Sequence, residues 1–388
     1  MPPQESPENV NVTPQQQVPV ETPKPSALPH SPLALAAALA VLVVIGAVLY
    51  WYKPFVSGPV TTAPSKTYVV GILYFPQQTD AVIAFQKKME ELGYREGVNV
   101  RYDMVRVSPN PTMIEEFTMG VDRMINERVD MIYATFEHEA EVAIRETKKY
   151  QSDIPIVFIT RFHDPVQFGL IPSYKSSGSN ATGVATNVSE TVERSIGFFK
   201  EINPKFKKVG IFTDGFMLPD IGDALVAEVR KQAPKFGIEV VEYKTSVPPP
   251  EAEAEFNRVA ARIKKGDIDG LFHVAGHFYE AQEAGESELA IRLGIPMEVP
   301  NEDLPNGGMF SYSDQASAAG TQAAVLADKI FKGAKPADIP IEFNAKTELT
   351  LIMGRARDAG ITFPDSMLFI ATNKYENGSD FPEILHER

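Results

Sequence analysis

No cysteine occurs among the 388 residues of the chain. This absence excludes disulfide bonds, cysteine nucleophiles, thiolate metal sites and a lipid anchor on an N-terminal cysteine. Positive charge is also scarce, because 37 lysine and arginine residues are outnumbered by 51 aspartate and glutamate residues, giving a formal net charge of −14. A chain this acidic repels nucleic acid and anionic lipid at long range, so no nucleic-acid partner is expected.

The short motifs of several common protein classes are missing as well. The sequence has no P-loop, no dinucleotide-binding glycine fingerprint, no G-x-S-x-G nucleophile elbow and no HExxH zinc motif. It also has no helix-turn-helix, which argues against a DNA-binding repressor. The residues thus give no sign of a nucleotide cofactor or an activated nucleophile, and no cofactor is expected. The chain does have 44% apolar residues, which is enough for a sizeable core in two or three domains.

The first 66 residues differ in composition from the rest. Residues 1–31 are rich in proline and glutamine and poor in large apolar side chains, so we predict that they are disordered. The run PLALAAALAVLVVIGAVLYWY (32–52) carries no charge over about 20 residues, the length that crosses a bilayer, and ends in an aromatic belt. It predicts a single transmembrane anchor, with a cleaved signal peptide as the alternative. Residues 53–66 form a linker.

From residue 67 onward, apolar strand-like runs alternate with amphipathic helices. The run TYVVGILYF (67–75) is typical of a strand buried on both faces. Strands that alternate with helices predict parallel sheets with helices on both sides. The predicted strands are 67–75, 98–105, 129–135, 154–160, 181–186, 208–213, 238–244, 269–275, 295–299, 339–343, 348–353 and 368–372. The predicted helices are 79–93, 112–127, 137–149, 220–236, 251–265, 278–293 and 314–333.

These elements form two successive sets, which predict two lobes. The first lobe comprises residues 67–187 with a returning segment, 314–372, and the second comprises residues 188–313. Residues 373–388 are predicted to be a polar, frayed tail. In open parallel sheets, ligands bind beyond the carboxyl ends of the strands. Two lobes whose strand ends face each other would therefore enclose a ligand between them.

Six stretches of this region resemble one protein family, and they occur in that family's order. They are KKMEELGYREGVNVRYD (87–103), IPIVF and DPV within 154–166, GSNATGVAT (178–186), EINPKFKKVGIF (201–212), KGAKPADIPIEFN (332–344) and ARDAGITFPDSML (356–368). Over residues 67–372 the chain is similar to the substrate-binding proteins of ABC importers. These have the type I periplasmic-binding-protein fold, and the similar branch includes tryptophan- and tyrosine-binding members.

The resemblance implies a two-lobed α/β fold, each lobe a parallel sheet flanked by helices, preceded here by one transmembrane helix. It also implies a non-enzymatic receptor anchored in the cytoplasmic membrane with its binding domain outside. The expected ligand is a small molecule, and an amino acid, aromatic ones included, is the first candidate. The expected partners are an ABC permease and its ATPase. The alternative function is a sensory or scaffolding domain that signals through a membrane partner.

Candidate ligand-binding residues follow the predicted strands at their carboxyl ends. In the first lobe they are Tyr74, Phe75, Thr135, Phe136, Glu137, Thr160, Arg161, Phe162, His163 and Asp164. In the second lobe they are Asp214, Phe216, Gly276, His277, Phe278, Asn301 and Asp303. Arg161 is a candidate clamp for a ligand carboxylate, with a surface or interlobe ion pair as its alternative role. Glu137, Asp164 or Asp303 could bind an ammonium group, and the phenylalanines could stack on ligand or pack in the core.

The stretch FITRFHDPV (158–166) concentrates several of these residues. A catalytic pair of His163 and Asp164 is disfavoured, because sequence neighbours seldom orient each other and no activated nucleophile accompanies them. Asp164, which precedes Pro165, is instead expected to bond local backbone N–H groups in a turn. The wall of a ligand pocket is the interpretation that we favour for this stretch.

Metal binding is a further interpretation. Its possible ligands are Glu137, His138, Glu141, His163 and the two histidines of HVAGH (273–277). The alternative is that Glu137, Glu139 and Glu141 are solvated, because acidic residues favour the N-terminal end of a helix for electrostatic reasons alone.

Overall fold

The computed structural model of the chain describes residues 66–216, 219–274 and 282–380. The predicted disordered segment (1–31), membrane anchor (32–52) and linker (53–66) lie outside the described residues, apart from Lys66 at the end of the linker. Within the described stretches, no helix combines the length and the apolar character needed to cross a membrane.

The first lobe is built on a sheet of six strands: β1 (Tyr68–Tyr74), β2 (Val100–Arg106), β3 (Met131–Ala134), β4 (Ile156–Thr160), β5 (Ala181–Ala185) and β11 (Glu342–Phe343). Their order across the sheet is β11-β5-β4-β3-β1-β2, and all neighbours are parallel. Every residue of β3, β4 and β5 is buried, as expected for central strands covered on both faces.

The second lobe is built on seven strands: β6 (Lys208–Asp214), β7 (Glu239–Thr245), β8 (Gly270–Phe272), β9 (Met297–Glu298), β10 (Phe310–Asp314), β12 (Thr347–Ile352) and β13 (Asn373–Tyr375). Their order is β13-β12-β10-β9-β8-β6-β7. The portion β7-β6-β8-β9-β10 repeats the order β2-β1-β3-β4-β5 of the first sheet. In each lobe the order reverses beside the first strand, which opens a crevice at the carboxyl ends of the strands.

The helices that cover the sheets are α1 (Thr79–Glu91), α2 (Met113–Glu127), α3 (Glu137–Lys149), α4 (Val188–Ile202), α5 (Pro219–Gln232), α6 (Pro249–Ala260), α7 (Gln282–Leu293), α8 (Ala316–Phe331), α9 (Met353–Asp358) and α10 (Asp365–Ile370). Helix α4 and strand β10 are absent from the elements predicted above. The predicted strand at 368–372 is wrong, because its first residues belong to α10. A short apolar run has no periodicity that separates a strand from a helix, and Pro364 with Asp365 starts a helix here.

The chain crosses between the lobes after β5, after β10 and after β11, and the last crossing corrects the predicted return segment. Residues 316–343 do belong to the first lobe, but β12 pairs antiparallel with β10 in the second sheet, and β13 pairs with β12. The assignment of 344–372 to the first lobe is therefore wrong. Residues 373–375, predicted as part of a frayed tail, form an edge strand, and 381–388 lie outside the described residues.

Helices α1 and α8 pack closely on one face of the first sheet. Small buried residues of α8, including Ala319 and Ala323, lie against Ala81 and Phe85 of α1 in one apolar cluster. At Gly320 the two helices approach so closely that a Cβ would overlap the backbone carbonyl of Ala81. A glycine is required there because the obstacle is backbone, which cannot swing aside as a side chain can.

We predict that Gly320→Ala lowers the free energy of unfolding by about 2 kcal/mol, because overpacking forces the helices apart. Gly197→Ala in α4 is the matched control, since its Cβ would meet only the Phe236 ring at ordinary distances of 3.5 and 3.6 Å. The control gains roughly 0.5–1 kcal/mol from helix propensity. Urea unfolding of both variants measures the difference, and an unchanged Gly320→Ala midpoint would contradict the close approach.

Candidate functional site

An ion pair made by Arg161 is the first contact between the lobes. Arg161 follows β4, and its Nη2 binds Oε1 of Glu302, which lies in a 3-10 turn, Asn301–Asp303, after β9. Only 12% and 13% of the two side chains are exposed. Burial alone would lower the pKa of Arg161, but the Glu302 carboxylate outweighs it and raises that pKa. The structure therefore gives Arg161 the interlobe ion pair that was its alternative role.

The second contact between the lobes is centred on Asp220, in the first turn of α5. Its Oδ2 lies 2.8 Å from Nε2 of His138 and 3.5 Å from Nε2 of His163. Both histidines belong to the first lobe, at the start of α3 and in the loop after β4. Burial acts to raise the pKa of Asp220, but the hydrogen bond to His138 and the nearby His163 lower it. One carboxylate of the second lobe is thus shared by two imidazoles of the first.

The loop after β4 is held by the side chain of Glu137. This carboxylate is fully buried and accepts hydrogen bonds from the backbone N–H groups of Arg161, Phe162 and His163 at 2.9, 3.0 and 3.2 Å. It also lies 2.9 Å from Nδ1 of His163. Burial acts to raise the pKa of Glu137, but the bonds from His163 and the backbone outweigh it and lower the pKa. The carboxylate that a metal site here would need is therefore engaged by the loop.

The other acidic residues at the start of α3, Glu139 and Glu141, differ in their exposure to solvent. Glu139 is fully buried and accepts hydrogen bonds from the backbone N–H and the hydroxyl of Thr135 at 2.8 and 3.1 Å, and burial raises its pKa well above the usual value. Glu141 is exposed. The interpretation of these residues as solvated is right for Glu141 and wrong for Glu137 and Glu139.

Asp164 forms the predicted turn. Its Oδ1 accepts hydrogen bonds from the backbone N–H groups of Val166 and Gln167, both at 2.9 Å. Its other oxygen accepts a hydrogen bond from the Tyr174 hydroxyl. These bonds occupy the carboxylate, so Asp164 shapes the loop rather than facing the space between the lobes.

A cavity of about 70 Å³ lies between the lobes next to Arg161. Its apolar lining includes Phe162, Leu225, Phe272 and Tyr312. A volume of this size has room for a few water molecules, well below the roughly 300–1,000 Å³ of typical ligand pockets. This cavity is thus smaller than most solutes.

Acidic residues of the second lobe line the same cavity. Glu298, in β9, accepts a hydrogen bond from the Ser195 hydroxyl at 3.3 Å, and burial raises its pKa to about 8. Asp314, at the end of β10, accepts one from Thr347 at 2.7 Å, and burial raises its pKa too. With Arg161 on the opposite wall, the cavity places a guanidinium across from two carboxyl groups.

His273, directly after β8, also lines the cavity. Its Nδ1 lies 3.0 Å from Oε2 of Glu286. Burial acts to lower its pKa, but Glu286, with Asp303 and Glu283 nearby, raises it to about 10. Among the described residues, His273, Glu283 and Asp303 form the group that could hold a metal ion, with ligand atoms all within 4.8 Å of one another.

The structure separates the predicted site residues. Those at the cavity or in the contacts between the lobes are Arg161, Phe162 and His163, while Asn301 and Asp303 flank Glu302 in one 3-10 turn. Those with roles inside one lobe are Phe75, Thr135, Phe136, Glu137, Thr160 and Asp164, all buried or bonded within the first lobe. Tyr74 is half-buried, Asp214 closes β6 and Phe216 is exposed. Gly276, His277 and Phe278 lie outside the described residues.

Several residues at the site were not among the predicted ligand contacts. They are Ser195, Asp220, His273, Glu298, Glu302, Tyr312 and Asp314. Two of them carry a signal in the sequence, since His273 in LFHVA and Glu298 in PMEVP are ionisable residues within apolar strands, and such positions are seldom buried without a partner. Tyr312 and Asp314 carry none, because β10 itself is not evident from the sequence.

Solved structures share this two-lobed architecture. A conserved domain protein from Vibrio cholerae is 21% identical with a TM-score of 0.67, over 80% of this chain and 99% of that one. The ABC domain in complex with L-Trp from Streptococcus pneumoniae is 19% identical with a TM-score of 0.65, over 80% and 100%. A ligand-free, open substrate-binding protein with adhesive properties from Clostridium difficile is 20% identical with a TM-score of 0.62, over 80% and 100%. At these identities the likeness establishes the fold.

Sequence similarity identifies the family. No curated protein sequence matches the chain significantly. The model of the family described as ABC transporter substrate binding protein matches residues 66–375, most of the chain. The resemblance noted in the sequence is thereby confirmed. The chain belongs to the ABC transporter substrate-binding protein family.

Proposed function

We propose that this chain is the membrane-anchored receptor of an ABC importer, and that it binds an amino acid between its lobes outside the cytoplasmic membrane. The apolar run 32–52 would supply the anchor. The observation that carries the choice of ligand is the arrangement of ionisable groups around the interlobe cavity. Arg161 lies on one side, and the carboxyl groups of Glu298 and Asp314 lie on the other.

This arrangement suits a zwitterion. The guanidinium of Arg161 would bind the α-carboxylate in a bidentate pair, and a carboxylate of the second lobe would accept the ammonium group. Phe162, Phe272 and Tyr312 provide apolar and aromatic surface for the side chain of the ligand. The L-Trp complex of the streptococcal neighbour supports including aromatic amino acids among the candidates.

Binding would proceed by opening and closure. The closed cavity is too small to admit an amino acid, so the ligand would enter when the Arg161–Glu302 and Asp220–histidine contacts are broken. In the loaded state Arg161 would exchange part of its interaction with Glu302 for the ligand carboxylate. The ligand then stabilises the closed form by its differential affinity for it.

We predict that Arg161→Gln weakens amino-acid binding about 10- to 100-fold, because a charged hydrogen bond contributes roughly 1.5–3 kcal/mol. Glu302→Gln is the matched control, since it removes the same ion pair but keeps the proposed clamp, and its affinity stays within about threefold of the wild type. Isothermal titration of the full-length chain against the individual amino acids measures both. Equal losses in the two variants would show that Arg161 acts only through the ion pair, and no binding to any amino acid would overturn the ligand class.

The contact at Asp220 predicts a pH dependence. Burial acts to lower the pKa of His163, but its bond to Glu137 and the nearby Asp220 outweigh it, so the pKa is raised above the ordinary value of 6.5. Its contribution to stability is therefore complete below pH 6.5 and is lost as pH rises through the raised pKa. The pKa of Asp220 is lowered from 3.8, so its contribution is present above that value and is lost only in stronger acid. Together they favour the closed form most between about pH 4 and 6.5.

We predict that Asp220→Asn reduces the fall in melting temperature between pH 6 and pH 9 by about 1–3 °C, a small effect because Asp220 is partly exposed. Asp223→Asn is the control on the same helix, since Asp223 pairs with Lys244 at the surface and its variant keeps the wild-type slope. Thermal unfolding followed by circular dichroism measures the slopes. Parallel wild-type and Asp220→Asn profiles would show that the histidine contact adds nothing to closure.

A further inference from the structure

A cluster of one imidazole and two carboxylates lies on the second lobe, behind the Arg161–Glu302 contact. His273 follows β8, Glu283 is in the first turn of α7, and Asp303 ends the 3-10 turn after β9. The His273 Nε2 lies 3.6 Å from Oδ2 of Asp303 and 4.0 Å from Oε1 of Glu283. Three separate elements of the fold thus direct ligand-type atoms at one point.

The spacing matches the inner sphere of a small divalent ion. With bonds of roughly 2.0–2.2 Å, neighbouring ligand atoms in a tetrahedral site are about 3.4 Å apart. The distances of 3.6 and 4.0 Å from His273 are close to this value, and all three ligand atoms lie within 4.8 Å of one another. An inward shift of well under about 1 Å would complete the geometry.

The imidazole is already oriented as a metal ligand. Its Nδ1 bonds to Oε2 of Glu286 at 3.0 Å, and the other oxygen of Glu286 accepts a hydrogen bond from the Gln282 amide at 2.8 Å. Metal-binding histidines almost always donate their second ring N–H to such a carboxylate, which fixes the ring and makes the nitrogen that binds the metal more basic. Gln282, Glu283 and Glu286 are all in the first turns of α7, so one helix start supplies a ligand and the residues that orient another.

Two carboxylate oxygens of the cluster lack hydrogen-bond partners among the described residues. Oδ2 of Asp303 and Oε2 of Glu283 are buried and have no hydrogen-bond partner among the described residues. Among the described residues, three carboxylates, those of Glu283, Glu286 and Asp303, surround the imidazole of His273. Buried carboxylates are stabilised when they bind a cation, so a divalent ion at this point would be favourable.

We propose that His273, Glu283 and Asp303 bind a divalent transition metal, with Zn²⁺ or Co²⁺ as the class of ion, and that Glu286 positions His273. The imidazole selects against Ca²⁺ and Mg²⁺, which prefer oxygen ligands alone. The site does not depend on which solute the receptor carries. It does affect closure, because Asp303 is next to Glu302 in one short turn, and a bound ion would fix the turn that receives Arg161.

The test is metal binding by the full-length chain after chelator treatment. Equilibrium dialysis with Zn²⁺ followed by elemental analysis should find one ion per chain at micromolar metal, and Co²⁺ should give visible bands that report its coordination. Asp303→Asn and Glu283→Gln, which keep the side-chain shape, should each weaken binding about 100-fold or more, and Glu286→Gln about 10- to 100-fold. The metal should also raise the melting temperature of the wild type but not that of Asp303→Asn.

His138→Gln is the matched control, because His138 also pairs with a carboxylate but lies outside the cluster, and its variant should bind metal as the wild type does. Circular dichroism without metal checks that each variant is folded. The proposal is overturned if the wild type binds no divalent ion below about 100 µM, which would leave a network of shared protons. It is also overturned if Asp303→Asn and Glu283→Gln both bind as tightly as the wild type, or if His138→Gln loses the ion. Amino-acid titration of the same variants reads the solute site separately.

Discussion

The contacts between the two lobes depend on the buried carboxylate of Glu137. Its oxygens accept the backbone N–H groups of three successive loop residues and the imidazole of His163. Burying this carboxylate without such partners would destabilise the fold by roughly several kcal/mol. The loop after β4 and the start of α3 are therefore held in one arrangement. That arrangement places Arg161 against Glu302 and His163 near Asp220. The Arg161–Glu302 pair and the His163 side of the Asp220 contact therefore begin from a loop that a single side chain organises.

The second lobe places several acidic side chains near the same interlobe contacts. Burial raises the pKa of Glu298 and of Asp303 to about 8, and it raises the pKa of Glu283 and Asp314 as well. Such carboxylates attract whatever positive group can reach them. Arg161 of the other lobe, the ammonium group of a ligand and a metal ion near His273 are the groups that the geometry allows. Closure, the proposed solute binding and the proposed metal binding would each place a positive group against acidic residues of this surface.

Much of the fold could be predicted because local pattern and tertiary structure agree. The apolar runs at 67–75 and 154–160 become strands buried on both faces, and the alternation with helices gives parallel sheets. The prediction failed where a segment is short or where its partner is distant in sequence. The run at 368–372 enters a helix, and β12 joins the second sheet rather than the first. The edge of either sheet would accept a short apolar strand such as β12. Only its antiparallel pairing with β10 places it in the second sheet.

By itself, the sequence determined the class of the molecule and which loops lie at the facing edges of its two lobes. The order of strands and helices fixes two parallel sheets, and parallel strands bring their carboxyl-end loops to one edge, so Arg161, His163 and Asp303 had to lie near the cleft. It also fixed the turn at Asp164, because an aspartate before proline bonds its own local backbone. Tertiary structure alone decided the partners. Glu302 meets Arg161 and Asp220 meets His163, in each case across the two lobes, and Glu298 faces the cavity beside Arg161. All of these partners are distant in sequence. The free energy of burying such charges depends on which residues pair with them, and those residues come together only once both lobes have folded and closed.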